Sequence, residues 1–139
     1  MKKIIALLLV VMALLALVSC SSIPNDPIKL GKQIVKNCGD DAEIVINMDR
    51  PNIEDAADSI DVDSEDIYAM MEVDYNDWYG IFVFCDTTSS AKDVEEALIE
   101  MLEDWQADDY YGYYDDYVVE RSGKVVYIGD EDLLDDIKG

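Results

Sequence analysis

Residues 79–105, YGIFVFCDTTSSAKDVEEALIEMLEDW, hold an apolar run followed by an amphipathic one, and their junction decides the fold. Tyr79 to Cys85 is apolar on both alternating faces, which predicts a central strand covered on both sides. From Ser90 the period changes. Val94, Ala97, Leu98, Met101, Leu102 and Trp105 recur at helical spacing, with Glu95, Glu96, Glu100, Glu103 and Asp104 mostly off that stripe. Ser90 with Asp93 reads as a capping box, starting the helix at Ser90. Such a helix buries its stripe by lying across a sheet.

Working outward, Ile67 to Val73 reads as a strand, and turn residues between Asp74 and Asp77 join it to the Tyr79 strand as a hairpin. Beyond the helix, Val118 to Arg121 and Lys124 to Ile128 flank Ser122-Gly123, a two-residue hairpin signal. A short acidic helix runs from Asp130 to Ile137. Upstream, Asp26 caps a helix with Pro27 at its first position, and Gly39 stops it after Cys38. Between Asp40 and Asp66 the pattern weakens. Glu43 to Ile46 fits a short strand or a loop, and Ile53 to Ile60 fits a helical turn or two begun by Pro51 and Asn52. The expected class is α+β: a mainly antiparallel sheet of about four strands with helices packed on one face.

The N-terminus carries the one specific motif. Lys2 and Lys3 precede Ile4 to Val18, a run of Ile, Ala, Leu, Val and Met only. That is shorter than the roughly 20 apolar residues of a spanning helix and suits a signal peptide. Leu17-Val18-Ser19-Cys20 then resembles the lipobox of bacterial lipoproteins. The resemblance implies cleavage between Ser19 and Cys20 and acylation of Cys20, palmitate being one such chain, with the protein held at the cell membrane on its extracytoplasmic side. Each buried methylene contributes about 0.8 kcal/mol, so one chain holds marginally and two hold firmly. The expected organisation is a signal peptide over 1–19, the lipidated cysteine and a tether over 20–27, and a single domain over 28–139.

All 32 acidic residues follow Cys20. Ten basic residues less Lys2 and Lys3 leave eight, so the mature charge is 8 − 32 = −24. Such a surface disfavours nucleic acid and anionic headgroups. Outside the cell Cys38 and Cys85 could pair, closing a loop that contributes roughly 4 kcal/mol in the chain-entropy model. Equally, Cys85 suits its apolar strand as a small hydrophobe.

Together, the lipobox, the strand Ile81-Phe82-Val83-Phe84, the helix from Ser90 and the hairpin at Gly123 resemble domain of unknown function 4358 over about residues 60–130. That family consists of small, mostly lipid-anchored proteins of Gram-positive bacteria. The resemblance implies no activity. The family's aromatic-then-proline element after the helix is met here by Tyr113 and Tyr114 without the proline.

Three constellations carry the candidate chemistry. Asp61, Asp63 and Glu72 imitate positions 1, 3 and 12 of a calcium loop, but Asp66 stands where the sharp turn needs glycine, so a solvated turn is the better reading. Tyr110, Tyr111, Tyr113 and Tyr114 with Asp115 and Asp116 offer ring faces and acceptors to a ligand such as a glycan. A connector whose rings seal the edge of the core, with hydroxyls reaching water, is the better reading. Glu103, Asp104, Asp108 and Asp109 crowd the negative end of the central helix; a cost that the fold tolerates and salt screens is the better reading, and a place for a cation or a basic partner the other.

With no histidine, catalysis would fall to carboxylates, and no pair is singled out. Neither a metal site nor a cofactor is expected. The sequence therefore points to a lipid-anchored, non-enzymatic binding module, its partner an envelope protein or wall polymer. The alternative is a glycan-binding or glycan-cleaving domain.

Overall fold

The computed structural model describes residues 23–139; the expected signal peptide and the expected cleavage and lipidation positions Ser19 and Cys20 lie outside them. The order of elements is α1 (Pro27–Cys38), β1 (Glu43–Asn47), α2 (Arg50–Ser59), a 3₁₀ turn (Ser64–Asp66), β2 (Ile67–Tyr75), β3 (Trp78–Cys85), α3 (Thr88–Asp108), β4 (Tyr117–Ser122), β5 (Val125–Asp130) and α4 (Glu131–Lys138). The class is α+β, built on one antiparallel sheet in the order β1-β2-β3-β5-β4.

Five strands stand where about four were expected. The addition is β1, which pairs Glu43 to Asn47 with Asp74 to Met70 along the β2 edge. The helices also differ from expectation, because they cover both faces of the sheet. Ile81, Val83 and Cys85 of β3 point to one side, against Ile53 and Ala57 of α2 and Val94, Leu98 and Leu102 of α3. Phe82 and Phe84 point to the other, against Leu30 and Ile34 of α1 and Leu133, Leu134 and Ile137 of α4. The physical reason is the one that marked β3 as central: a strand apolar on both faces needs a layer on each. Val126 and Ile128 alternate with Val125 and Tyr127 in the same way on β5.

Local chemistry sets the boundaries. Asp26 accepts the N–H groups of Ile28 at 2.8 Å and Lys29 at 3.1 Å, with Pro27 at the first helical position. Gly39, at φ 101°, ends α1 by donating its N–H to Val35. The cap of α3 is Thr87, three residues before the expected Ser90, and its hydroxyl accepts the Ser90 N–H at 3.0 Å. Ser90 itself sits inside the first turn, and its hydroxyl donates to Asp66 at 3.1 Å. Both residues have capping chemistry, so sequence spacing alone could not separate them. Asn76 and Asp77, both left-handed at φ 51° and 67°, form the two-residue turn between β2 and β3. In the second hairpin the turn is Gly123-Lys124, one residue later than expected, since Ser122 pairs with Val125.

Of the two readings open for the cysteines, the structure has the unpaired one. Cys38 and Cys85 are both free thiols, and Cys85 belongs to the α2–α3 core while Cys38 packs against the opposite one. The sheet lies between them. Residues 23–27, read from the sequence as part of a tether, pack with the domain. Ile23 is 6% exposed in the α1–α4 core, Asn25 accepts the Tyr68 hydroxyl on its carbonyl at 2.6 Å, and its side chain accepts the Lys124 N–H.

Candidate functional site

The tyrosine-rich segment links α3 to β4, and the structure divides it in two. Tyr114 turns inward, its ring centroid 5.1 Å from Trp105 and 5.1 Å from Tyr117. With Tyr79, Ile81 and Ile128 these rings line a cleft of about 130 Å³ at the end of the α3 stripe. That is below the ~300 Å³ at which small-molecule pockets usually begin, and the cleft is an apolar seam of the core. Tyr110, Tyr111 and Tyr113 turn outward at 91%, 77% and 74% exposed. Their rings form a chain, 5.2 Å from Tyr110 to Tyr111 and 5.8 Å from Tyr111 to Tyr113. Asp115 and Asp116 lie exposed beside this ridge.

The loop that carries the ridge is pinned at both ends. Asp109 ends α3, and its carboxylate accepts the Tyr111 N–H at 3.2 Å and the Tyr114 N–H at 2.8 Å. Gln106 donates to the Tyr114 carbonyl at 2.9 Å, and Glu131 donates its N–H to the Asp116 carbonyl at 2.9 Å. Gly112, at φ 73°, turns the chain between Tyr111 and Tyr113. A ridge of large side chains on a fixed backbone loses little conformational freedom when a partner lands on it.

The four acids weighed as a cation site at the end of α3 have different surroundings. Asp109 is committed to the loop through both carboxylate oxygens. Asp104 faces an open hollow with Asp61 and Glu100, while Glu103 and Asp108 stand exposed. Among the described residues no three acids or cysteines gather closely enough to hold a metal ion. The imitation calcium loop is likewise taken apart. Asp63 caps the 3₁₀ turn by accepting the Glu65 N–H, and Glu72 lies in β2.

Around the aromatic seam the polar groups hold one another. The Tyr79 hydroxyl donates to Glu72 at 3.0 Å, and the Tyr79 N–H donates to Asp130 at 2.7 Å. The Tyr127 hydroxyl donates to the Asp130 carbonyl at 2.7 Å. Burial, and next the Asp130 charge, push the Tyr117 phenol up to about 12. Burial likewise raises Asp130, an effect opposed by the Tyr79 N–H bond. These groups are kept neutral, or their charge is already bonded, for structural reasons.

Sequence reasoning missed the parts played by Trp105, Tyr79 and Tyr117. Trp105 was placed on the helix stripe, but nothing local indicated that Tyr114 and Tyr117 would return to meet it. Among the described residues no helix is long and apolar enough to cross a membrane. No family model, curated protein or solved structure matches the chain.

Proposed function

We propose that this is a lipid-anchored protein of the extracytoplasmic membrane face, acylated at Cys20, whose domain is a non-enzymatic binding module. Its recognition surface is the ridge of Tyr110, Tyr111 and Tyr113. One observation carries the reading: three adjacent tyrosines stand 74–91% exposed on a loop whose backbone is fixed by Asp109 and Gln106. Exposed large aromatics on a rigid support are the usual anchors of an interface. Against an enzymatic role stands the use of the nearby polar groups, since Glu72, Asp130, Tyr79 and Tyr127 are bonded to one another.

The lipobox supports the anchor, and the resemblance to domain of unknown function 4358 brings no activity with it. An envelope protein is the partner we favour. The second reading is a glycan ligand, favoured by Asp115 and Asp116, whose exposed carboxylates could accept sugar hydroxyls beside the rings.

The test is cross-linked capture from intact envelope, using the lipidated protein and a variant with Tyr110→Ser, Tyr111→Ser and Tyr113→Ser. The exposed rings contribute little to the core, so the variant should melt with wild type while capture falls about tenfold or more. Unchanged capture would remove the ridge from consideration. Co-sedimentation with purified wall glycan separates the two ligand classes.

A further inference from the structure

Helix α1 has a charge balance opposite to the rest of the chain. It carries Lys29, Lys32 and Lys36 and no acid, although acids outnumber bases 32 to 8 after Cys20. Their spacing, three and then four residues, sets the lysines along one exposed stripe. Beside that stripe run Ile28 and Val35, 52% and 41% exposed. They line an open groove of about 450 Å³ between α1 and the edge strand β1, with Gly31, Lys32, Ile44 and Ile46 completing it. An apolar strip flanked by lysines is the pattern of helices that lie in a membrane interface.

The start of the domain fixes where a bilayer must be. Ile23 is buried in the core, and only Ser21 and Ser22 separate it from Cys20. Three residues, fully extended, span about 10 Å. An acylated Cys20 therefore brings the headgroups to within that distance of Ile23, and α1 begins four residues later. The domain has no length of tether with which to stand away from the membrane. Exposed charges more than about 10 Å away are largely screened at 0.1 M salt, so the acids that oppose contact are those nearest α1, Asp136 of α4 beside Cys38 among them. Of the acids at the ends of α1, Asp26 is bonded as the cap, and Asp40, Asp41 and Glu43 follow the last turn.

We propose that α1 lies along the surface of an anionic lipid bilayer, with Lys29, Lys32 and Lys36 against lipid phosphates and Ile28 and Val35 in the headgroup layer. This rests on the lipid-anchored reading above. It also orients the binding module. Helix α1 covers the β1–β2 edge on one face of the sheet, while the tyrosine ridge follows α3 on the other face and feeds the opposite edge, β4. The ridge then faces away from the membrane.

The test uses the full lipidated protein in vesicles of phosphatidylcholine, in vesicles of equal phosphatidylcholine and phosphatidylglycerol, and in detergent micelles. Lysine acetylation is followed by mass spectrometry, with Lys92 on α3 as the internal reference. In the anionic vesicles Lys29, Lys32 and Lys36 should react about threefold or more slowly relative to Lys92, and the difference should vanish in the other two media. A variant with Ile28→Asp and Val35→Asp should lose the protection while melting with wild type, since both side chains are exposed. Equal rates in all three media would overturn the proposal. So would protection that persists in micelles, which would give this face to a second copy of the chain. Intact mass separates the two failures: absent acyl chains refute the anchor, whereas acylated protein without protection refutes only the placement of α1.

Discussion

Gly80 and Tyr127 are fitted to each other across β3 and β5, the tyrosine ring occupying the space where a Cβ on residue 80 would lie. That Cβ would be 2.7 Å from the ring's Cζ and 2.5 Å from its hydroxyl oxygen. The ring cannot retreat freely, because its hydroxyl donates to the Asp130 carbonyl and its face packs 4.8 Å from Phe82. Gly80 pairs with Gly129, so two bare positions make the slot the ring fills. Gly80→Ala is therefore expected to destabilise by about 1–3 kcal/mol through overpacking. Denaturant midpoints check this. Adding Tyr127→Leu should cost less in the Gly80→Ala background than alone, and strict additivity would mean the clash is not the cause.

Asp108 and Asp109 are adjacent acids at one helix end, yet they should respond oppositely to substitution. Asp108 is exposed at the negative end of α3. Asp108→Lys is expected to stabilise by about 0.3–1 kcal/mol at low salt, and the gain should shrink as salt is added. Asp109 holds two backbone N–H groups of the tyrosine loop. Asp109→Ala is expected to cost about 1–2 kcal/mol and to speed hydrogen exchange at Tyr111 and Tyr114. Equal effects of the two substitutions on stability would refute this division.

The cysteines provide a third measurement. Since the sheet separates Cys38 from Cys85, a non-reducing digest should contain no peptide bridging them, and reductant should leave the melting temperature unchanged. Burial pushes the Cys85 thiol from 9.0 up to about 12. The same cause takes Tyr117 from 10.0 to about 12, and raises Tyr79 and Tyr127 as well. In the unfolded chain these groups ionise at their ordinary values, so the stability they contribute is fully present below about pH 9 and is lost as pH rises toward 12. Melts from pH 7 to 11 should fall most steeply above 9, and Cys85→Ala should soften the first part of that decline. A flat profile would contradict the burial of all four groups.

Cys20→Ala is expected to leave a precursor that takes up no fatty acid in metabolic labelling and is not cleaved after Ser19. Labelling equal to wild type would end the lipobox reading.

How much of this was legible in the sequence depended on how local each signal was. Helix α3 was legible because six apolar residues keep one period, and Asp26-Pro27 with Gly39 delimited α1 for reasons carried within a few positions. The second helical layer was not placed, although the two apolar faces of β3 required it. The stripes of α1 and α4 are short, and nothing local says which face of a sheet a helix will choose. Strand β1 was ambiguous because an edge strand with three apolar residues resembles a loop. The tyrosine segment was legible as aromatic but not as divided. Its inward half is defined by Trp105, nine positions before Tyr114.

The two cores share a backbone. Strands β2, β3 and β5 give alternate side chains to the α1–α4 layer and to the α2–α3 layer, so neither layer has strands of its own. Stripping either pair of helices would expose one whole apolar face of the sheet while the other stayed dressed. The domain thus has no half that could survive alone, and the two layers should melt in a single step. A protease that opens α1 would release the tyrosine ridge from its scaffold as well, so the ridge at one corner is mortgaged to integrity at the other.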